Sequence, residues 1–254
     1  MSRKLFIALL ISVVIICSFP FAYRIYSLKP QSKYISKEIS DPAGDISAAI
    51  DNVYKSAVTV RTDVAEGSGN IWNISPSYID IVTAFHIIEG DTPSKGDGEP
   101  ANSPKEGDEG HSFGPCEISF YDGLNVEGSV LRYNKEKDIA LVRVPMKRAR
   151  KAAKELGLEG PKGYNSVRIY KDDFYAQDDI FIQDGRTGTV AVGFIGSSDE
   201  YIPDFDMNMI YCLCDVDPGM SGGGLFDARG NYLGLLLGGS EDGAVCLCVD
   251  QFDF

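Results

Sequence analysis

Apolar residues in this chain come in short runs bounded by turn residues. "NIWNI", "YIDIVTAF", "CEISFYDG", "NVEGSVLRY", "DIALVRV", "DIFIQDG", "GTVAVGFIG", "MIYCLCDVD", "NYLGLLLGG" and "AVCLCVD" are of this kind, rich in β-branched and aromatic residues. Many short runs of this kind, spaced by turn residues, predict an all-β barrel or sandwich. Two segments break the rhythm. "DISAAIDNVYKSAVTVRT" offers Asp45 as an N-cap ahead of Ala48, Ile50 and Val53 at helical spacing, and then alternates Val58 and Val60 as a strand. "KRARKAAKELGL" consists of strong helix formers with a basic start and predicts a surface helix.

Other segments do not fit a globular core. From Leu5 to Tyr23 there is no charged residue, close to the roughly 20 apolar residues that cross a bilayer as a helix. Residues 1–26 are therefore a membrane anchor or a signal segment. A cleavage site is poorly formed, since Ala22 has Pro20 two positions earlier and Cys17 follows bulky Ile15 and Ile16, which favours an uncleaved transmembrane helix. Arg3 and Lys4 on one flank face Arg24, Lys29 and Lys33 on the other, so charge leaves the orientation open. The signal-like character places the folded domain outside the cytoplasm. Residues 27–44 read as a polar tether containing Pro30 and Pro42, residues 45–254 as the folded domain, and residues 90–115 as a disordered surface loop within it.

Composition narrows the partners. A chain of 254 residues with 44% hydrophobic content can bury one core, or two small barrels sharing one. The formal net charge of -13 argues against nucleic acid or an anionic membrane face as a ligand, because either needs a basic footprint. Polypeptide partners of neutral or basic character fit.

The chemistry gathers around Gly219-Met220-Ser221-Gly222-Gly223, which satisfies G-x-S-x-G. Glycine and serine also build ordinary turns, so the histidines must discriminate. A serine hydroxyl needs a base to take its proton, and the base needs an acceptor to hold its tautomer. Both histidines, His86 and His111, precede Ser221, which excludes the α/β-hydrolase order, where histidine comes last. His111 falls in the polar loop and reads as a solvated residue. His86 ends the run "YIDIVTAFH", where a strand would deliver it at its tip, and Asp138 opens the apolar run "DIALVRV" as the acceptor. His86, Asp138 and Ser221 stand in chymotrypsin order.

On these residues the chain resembles the trypsin-like serine proteases, and among them the HtrA-like (Deg) branch. "GSGNIW" with "YIDIVTAFHII" is similar to that branch's glycine-flanked first strand and histidine turn. "ISFYDGLNVEGSVLRYNKEKDIALVRV" is similar to its D-G hairpin and aspartate strand, and "DPGMSGGGLFDARGNYLGLL" to its nucleophile turn. The resemblance implies two six-stranded antiparallel barrels with the active site between them. It also implies an oxyanion hole from the backbone N–H groups of Gly219 and Ser221, and a substrate strand added along Leu237 and Gly239. Asp215, six residues before Ser221, stands where trypsin keeps the acid that binds a basic P1 side chain; a solvent-facing acid at a strand end reads equally well. No cofactor or metal is implied.

The chain also departs from that pattern. Met220 replaces the aspartate that receives a freed N-terminus in chymotrypsin-type enzymes, so activation by that route is not expected. Gly224 replaces the usual proline, and the chain ends at Phe254 after the last strand, with no PDZ domain expected. Cys212 and Cys214, like Cys246 and Cys248, sit at i and i+2, on strands that are neighbours in the resembled fold. Buried free thiols, a cross-strand disulfide and a four-thiolate zinc site all remain open, while Cys116 and Cys17 have no evident partner. The expectation is a membrane-tethered serine endopeptidase. The alternatives are a catalytically silent peptide-binding domain that keeps the cleft, and a metal-dependent redox module built on the C-x-C pairs.

Overall fold

The short apolar runs pair into antiparallel strands. The computed structural model describes residues 46–89, 113–169, 173–240 and 243–253. After α1 (Ile46–Tyr54) come β1 (Ala57–Arg61), β2 (Glu66–Ile74), β3 (Tyr78–Ala84), α2 (Phe85–Glu89), β4 (Cys116–Phe120), β5 (Asn125–Asn134) and β6 (Ile139–Pro145). These six strands close in the order β1-β2-β3-β6-β5-β4, with β1 pairing both β2 and β4. α3 (Met146–Leu156) then leads into β7 (Arg168–Ile169), β8 (Asp179–Gln183), β9 (Val190–Ile202), β10 (Met207–Leu213), β11 (Gly224–Asp227), β12 (Asn231–Ser240) and β13 (Gly243–Cys248). The order β11-β8-β9-β10-β13-β12 becomes a second closed ring of six because β11 also pairs with β12. β7 adds to β12 in parallel, outside that ring.

Inward positions of the runs build the core. Val58, Val60, Ile71, Ile81, Ile118 and Val142 of the first barrel are fully buried, and their cluster continues into Phe181, Phe226, Tyr232, Leu235 and Leu247 of the second. Each such side chain contributes about 1.5–3 kcal/mol of transfer free energy when removed from water. Trp72 on β2 meets Tyr232 on β12 edge-on at 6.1 Å, so aromatic packing joins the barrels. β1 lies at the seam, where the Thr59 hydroxyl donates to the Gly185 carbonyl at 3.0 Å. A smaller cluster of Ile180, Ile182, Ile210, Leu225 and Leu236 fills the rest of the second barrel. The basic segment forms α3, lying on the surface with only Met146, Ala149 and Ala153 buried, and ends at Gly157 in a left-handed C-cap.

Several expectations change. His86 is carried not by a strand tip but by α2, directly after β3. The glycine-flanked "GSGNIW" lies in β2, the second strand, not the first. At the end of the expected 90–115 loop, just before β4, Phe113 packs edge-on against Phe85 at 5.9 Å and Tyr133 at 5.2 Å. The rest of that loop, with His111, lies outside the described residues, as do Asp45, the tether and the N-terminal apolar segment. Among the described residues no helix is long and apolar enough to cross a membrane.

Candidate active site

β3 and β6 run antiparallel with Ala84 opposite Ile139, so the residues that follow one strand and precede the other come together. The Phe85 N–H donates to the Asp138 carbonyl at 3.0 Å. Asp138 has φ +50, a left-handed conformation uncommon among non-glycine residues although aspartate is enriched in it, and it turns the carboxylate back over α2. One oxygen, Oδ1, accepts the His86 backbone N–H at 2.8 Å; the other, Oδ2, lies 2.6 Å from His86 Nδ1. A carboxylate has no hydrogen to give, so Nδ1 carries the proton and Nε2 keeps its lone pair. The Asp138 side chain is 16% exposed and the His86 ring 37% exposed, a shielded acceptor beneath an accessible base.

The serine segment makes two successive turns. Met220 N–H donates to the Asp217 carbonyl at 3.1 Å and Gly223 N–H to the Met220 carbonyl at 2.8 Å. Gly219 sits at φ +90 and Gly222 at φ +82. Proline at 218 cannot adopt positive φ, so the first turn is type II, with Pro218 and Gly219 at its central positions. Gly222 is doubly constrained, since a Cβ there would lie 2.0 Å from the Ser68 carbonyl. Met220 is buried, and its sulfur accepts the Asp217 N–H at 3.3 Å, so apolar packing fills the place of the missing aspartate.

The two barrels bring these pieces together at β2. Ser68 N–H donates to the Ser221 carbonyl at 2.8 Å, and Asn70 Nδ2 donates to the Gly222 carbonyl at 3.2 Å. Next along β2, a Cβ on Gly67 would lie 2.9 Å from that Ser221 carbonyl and 2.2 Å from Cδ1 of Ile87, the neighbour of His86. Thus the serine backbone and the histidine helix approach one another over a single residue without a side chain.

Three residues absent from the sequence reading complete the region. Asp184, buried after β8, accepts the Ser68 hydroxyl at 3.0 Å and the Arg186 N–H at 2.8 Å through Oδ1. Its Oδ2 accepts Arg186 Nη2 and the Thr187 hydroxyl, each at 3.0 Å. Burial alone would raise the Asp184 pKa, but the backbone and guanidinium of Arg186, with Thr187, outweigh it and hold the carboxyl below the usual range. Arg186 Nη2 reaches on to the Pro218 carbonyl at 3.1 Å. The only sequence signal was an acid and a base two apart in "QDGRTG", a common turn composition.

The remaining candidates are dispersed. Asp215 is exposed on the segment between β10 and the serine turn. Leu237 is buried in β12 and Gly239 exposed; β13 pairs one edge of this stretch, while the β11 pairing stops at Leu235. The five described cysteines are free thiols, and among the described residues no group of three or more ligating side chains could hold a metal. Burial, then Cys212 and Asp215, push the Cys214 thiol up to about 12; burial pushes Cys116 up to about 11.

Residues 67–235 match the family model described as trypsin-like peptidase domain. No curated protein matches the chain. Among solved structures, the protease Rv3671c in an inactive form gives a TM-score of 0.57 at 18% identity, over 83% of this chain and 92% of that one. A serine-to-alanine variant of Rv3671c from M. tuberculosis H37Rv, also inactive, gives 0.57 at 16% identity over 83% and 89%. The HtrA-type protease AlgW with a tripeptide gives 0.59 at 17% identity over 81% of this chain and 60% of its own. At these identities the likeness is one of fold.

Proposed function

We propose, for a chain that belongs to the trypsin-like peptidase family, a serine endopeptidase in which His86, Asp138 and Ser221 act together on extended polypeptide. The observation that carries this reading is the pair of hydrogen bonds from His86 to the two oxygens of Asp138, set beside a glycine-flanked serine turn. His86 Nε2 accepts the Ser221 hydroxyl proton as the oxygen attacks the peptide carbonyl, and returns it to the leaving amine. Asp138 keeps the ring in the receptive tautomer and stabilises the imidazolium. The N–H groups of Gly219 and Ser221 bind the developing oxyanion, a contribution of about 3 kcal/mol per donor.

An extended substrate adds along β12 at Leu237 and Gly239, where the pairing with β11 has ended. The exposure of Asp215 supports a charge at the cleft margin more than a closed acidic pocket. The uncharged run from Leu5 to Tyr23 supports a membrane tether with the peptidase domain outside the cytoplasm. A fluorophosphonate probe tests the whole reading: the full chain is expected to label at Ser221, in the membrane fraction of expressing cells. Ser221→Ala and His86→Ala should abolish labelling. A folded wild-type chain that never labels is instead a silent peptide-binding domain.

A further inference from the structure

The type II turn from Asp217 to Met220 has a known alternative. Type I closes the same i to i+3 hydrogen bond but rotates the central peptide by about half a turn, with negative φ at the third residue. For this turn the central peptide is Pro218–Gly219, whose N–H is one of the two oxyanion donors. A rotation would leave the triad intact and aim that donor away from the substrate. The i to i+3 bond at 3.1 Å does not discriminate between the two forms; contacts of the central peptide must.

We propose that Arg186 is a positioning residue that holds this peptide in its productive orientation, an inference that rests on the serine endopeptidase reading. A trans peptide is planar, with its carbonyl and N–H on opposite sides. By donating to the Pro218 carbonyl at 3.1 Å, Arg186 fixes the Gly219 N–H on the far side. The guanidinium also lies over Gly219 itself, where a Cβ would come within 2.2 Å of Nη1, so the space it occupies exists because residue 219 has no side chain.

Arg186 is itself held. Asp184 grips its backbone N–H and its guanidinium, and the Asp184 side chain is only 3% exposed against 22% for Arg186. The same carboxylate takes the hydroxyl of Ser68, whose N–H supports the Ser221 carbonyl. One buried acid therefore ties together the two successive turns of the serine segment: the first at the Pro218 carbonyl through Arg186, the second at the Ser221 carbonyl through Ser68. A purely structural ion pair would have no reason to reach the one carbonyl that sets the Gly219 donor.

The test uses the full chain, an alkyl fluorophosphonate and benzeneboronic acid, both of which place a tetrahedral oxygen where the oxyanion forms. Arg186→Ala is expected to lower the maximal labelling rate kinact by about 10- to 100-fold, less than the roughly 100- to 1,000-fold for removing an oxyanion donor outright, because the Gly219 N–H is released rather than lost. KI for the fluorophosphonate should stay within about twofold, as the ground state makes little use of that donor. Boronic acid inhibition should weaken by the same factor as kinact. Arg186→Lys, with one donor able to reach the Pro218 carbonyl, should recover part of the loss, and carries the test by the same readouts if Arg186→Ala does not fold. Unchanged kinact and boronate affinity in a folded variant, with the wild type active, would overturn the role of Arg186 alone. A wild type that neither labels nor binds boronate would overturn the endopeptidase reading instead.

Discussion

Asp138 divides its two carboxylate oxygens between two groups of one residue, the backbone N–H and the ring Nδ1 of His86. This division makes Asp138→Asn informative. The amide oxygen can keep the backbone bond, while its NH2 faces Nδ1 and can only donate. The ring proton then moves to Nε2, the atom that accepts from Ser221 in the proposed triad. Folding should change little, whereas turnover should fall about 10⁴-fold, the scale of a triad with the wrong tautomer; active-site labelling rates combined with thermal melts check both halves. From sequence, Asp138 was recognisable as an acid opening an apolar run. Its positive φ was not, because most residues with an aspartate side chain keep negative φ and only the contacts around a given one decide otherwise.

At the scale of elements, short apolar runs between turn residues identified the long strands; burial alternates along β4 and the start of β5, whereas β1, β3, β6 and β8 are buried almost throughout. β7, with two residues, and β11, with four, are too short to carry a period, yet β11 is the strand that closes the second ring. α2 escaped for a similar reason, since five residues after a strand look like its continuation. β12 carries a further consequence. Tyr232 at its start is fully buried among Trp72, Phe226 and Phe252, and its hydroxyl has no hydrogen-bond partner among the described residues. A buried hydroxyl without a partner costs about 1–3 kcal/mol. Tyr232→Phe should therefore leave stability unchanged or raise it by about 1 kcal/mol in urea unfolding, and a marked loss would reveal a partner for that hydroxyl.

Across the whole molecule, the acid that accepts from Ser68 across the barrel seam is itself ion-paired with Arg186 of its own loop. Asp184 is held below the usual carboxylate range by Arg186 and Thr187 against the opposing effect of burial. A carboxyl with a depressed folded pKa stabilises the fold fully above the unfolded value, near 3.9, and loses that contribution as pH falls through the folded one. Asp184→Asn leaves Arg186 without its counter-charge and should cost about 3 kcal/mol at pH 7, typical of a broken buried pair. The gap from wild type should narrow in melts taken from pH 7 down to pH 3, since the wild type loses the pair as well. A gap that stays constant across that range would show that the charge of Asp184 contributes nothing to the seam.

The sequence by itself determined the strand pattern, the surface helix, the glycine-bracketed serine and the order His86, Asp138, Ser221, all of which follow from local spacing or residue chemistry. Tertiary structure alone decided which oxygens of Asp138 face His86, how β11 closes the second barrel, and that Arg186 lies over Gly219. The reason is physical: the Asp138 bond to His86 spans 52 residues and the Ser68 bond to Asp184 spans 116. No local window encodes such contacts; they form only when both barrels close and the loops between strands are brought into register together.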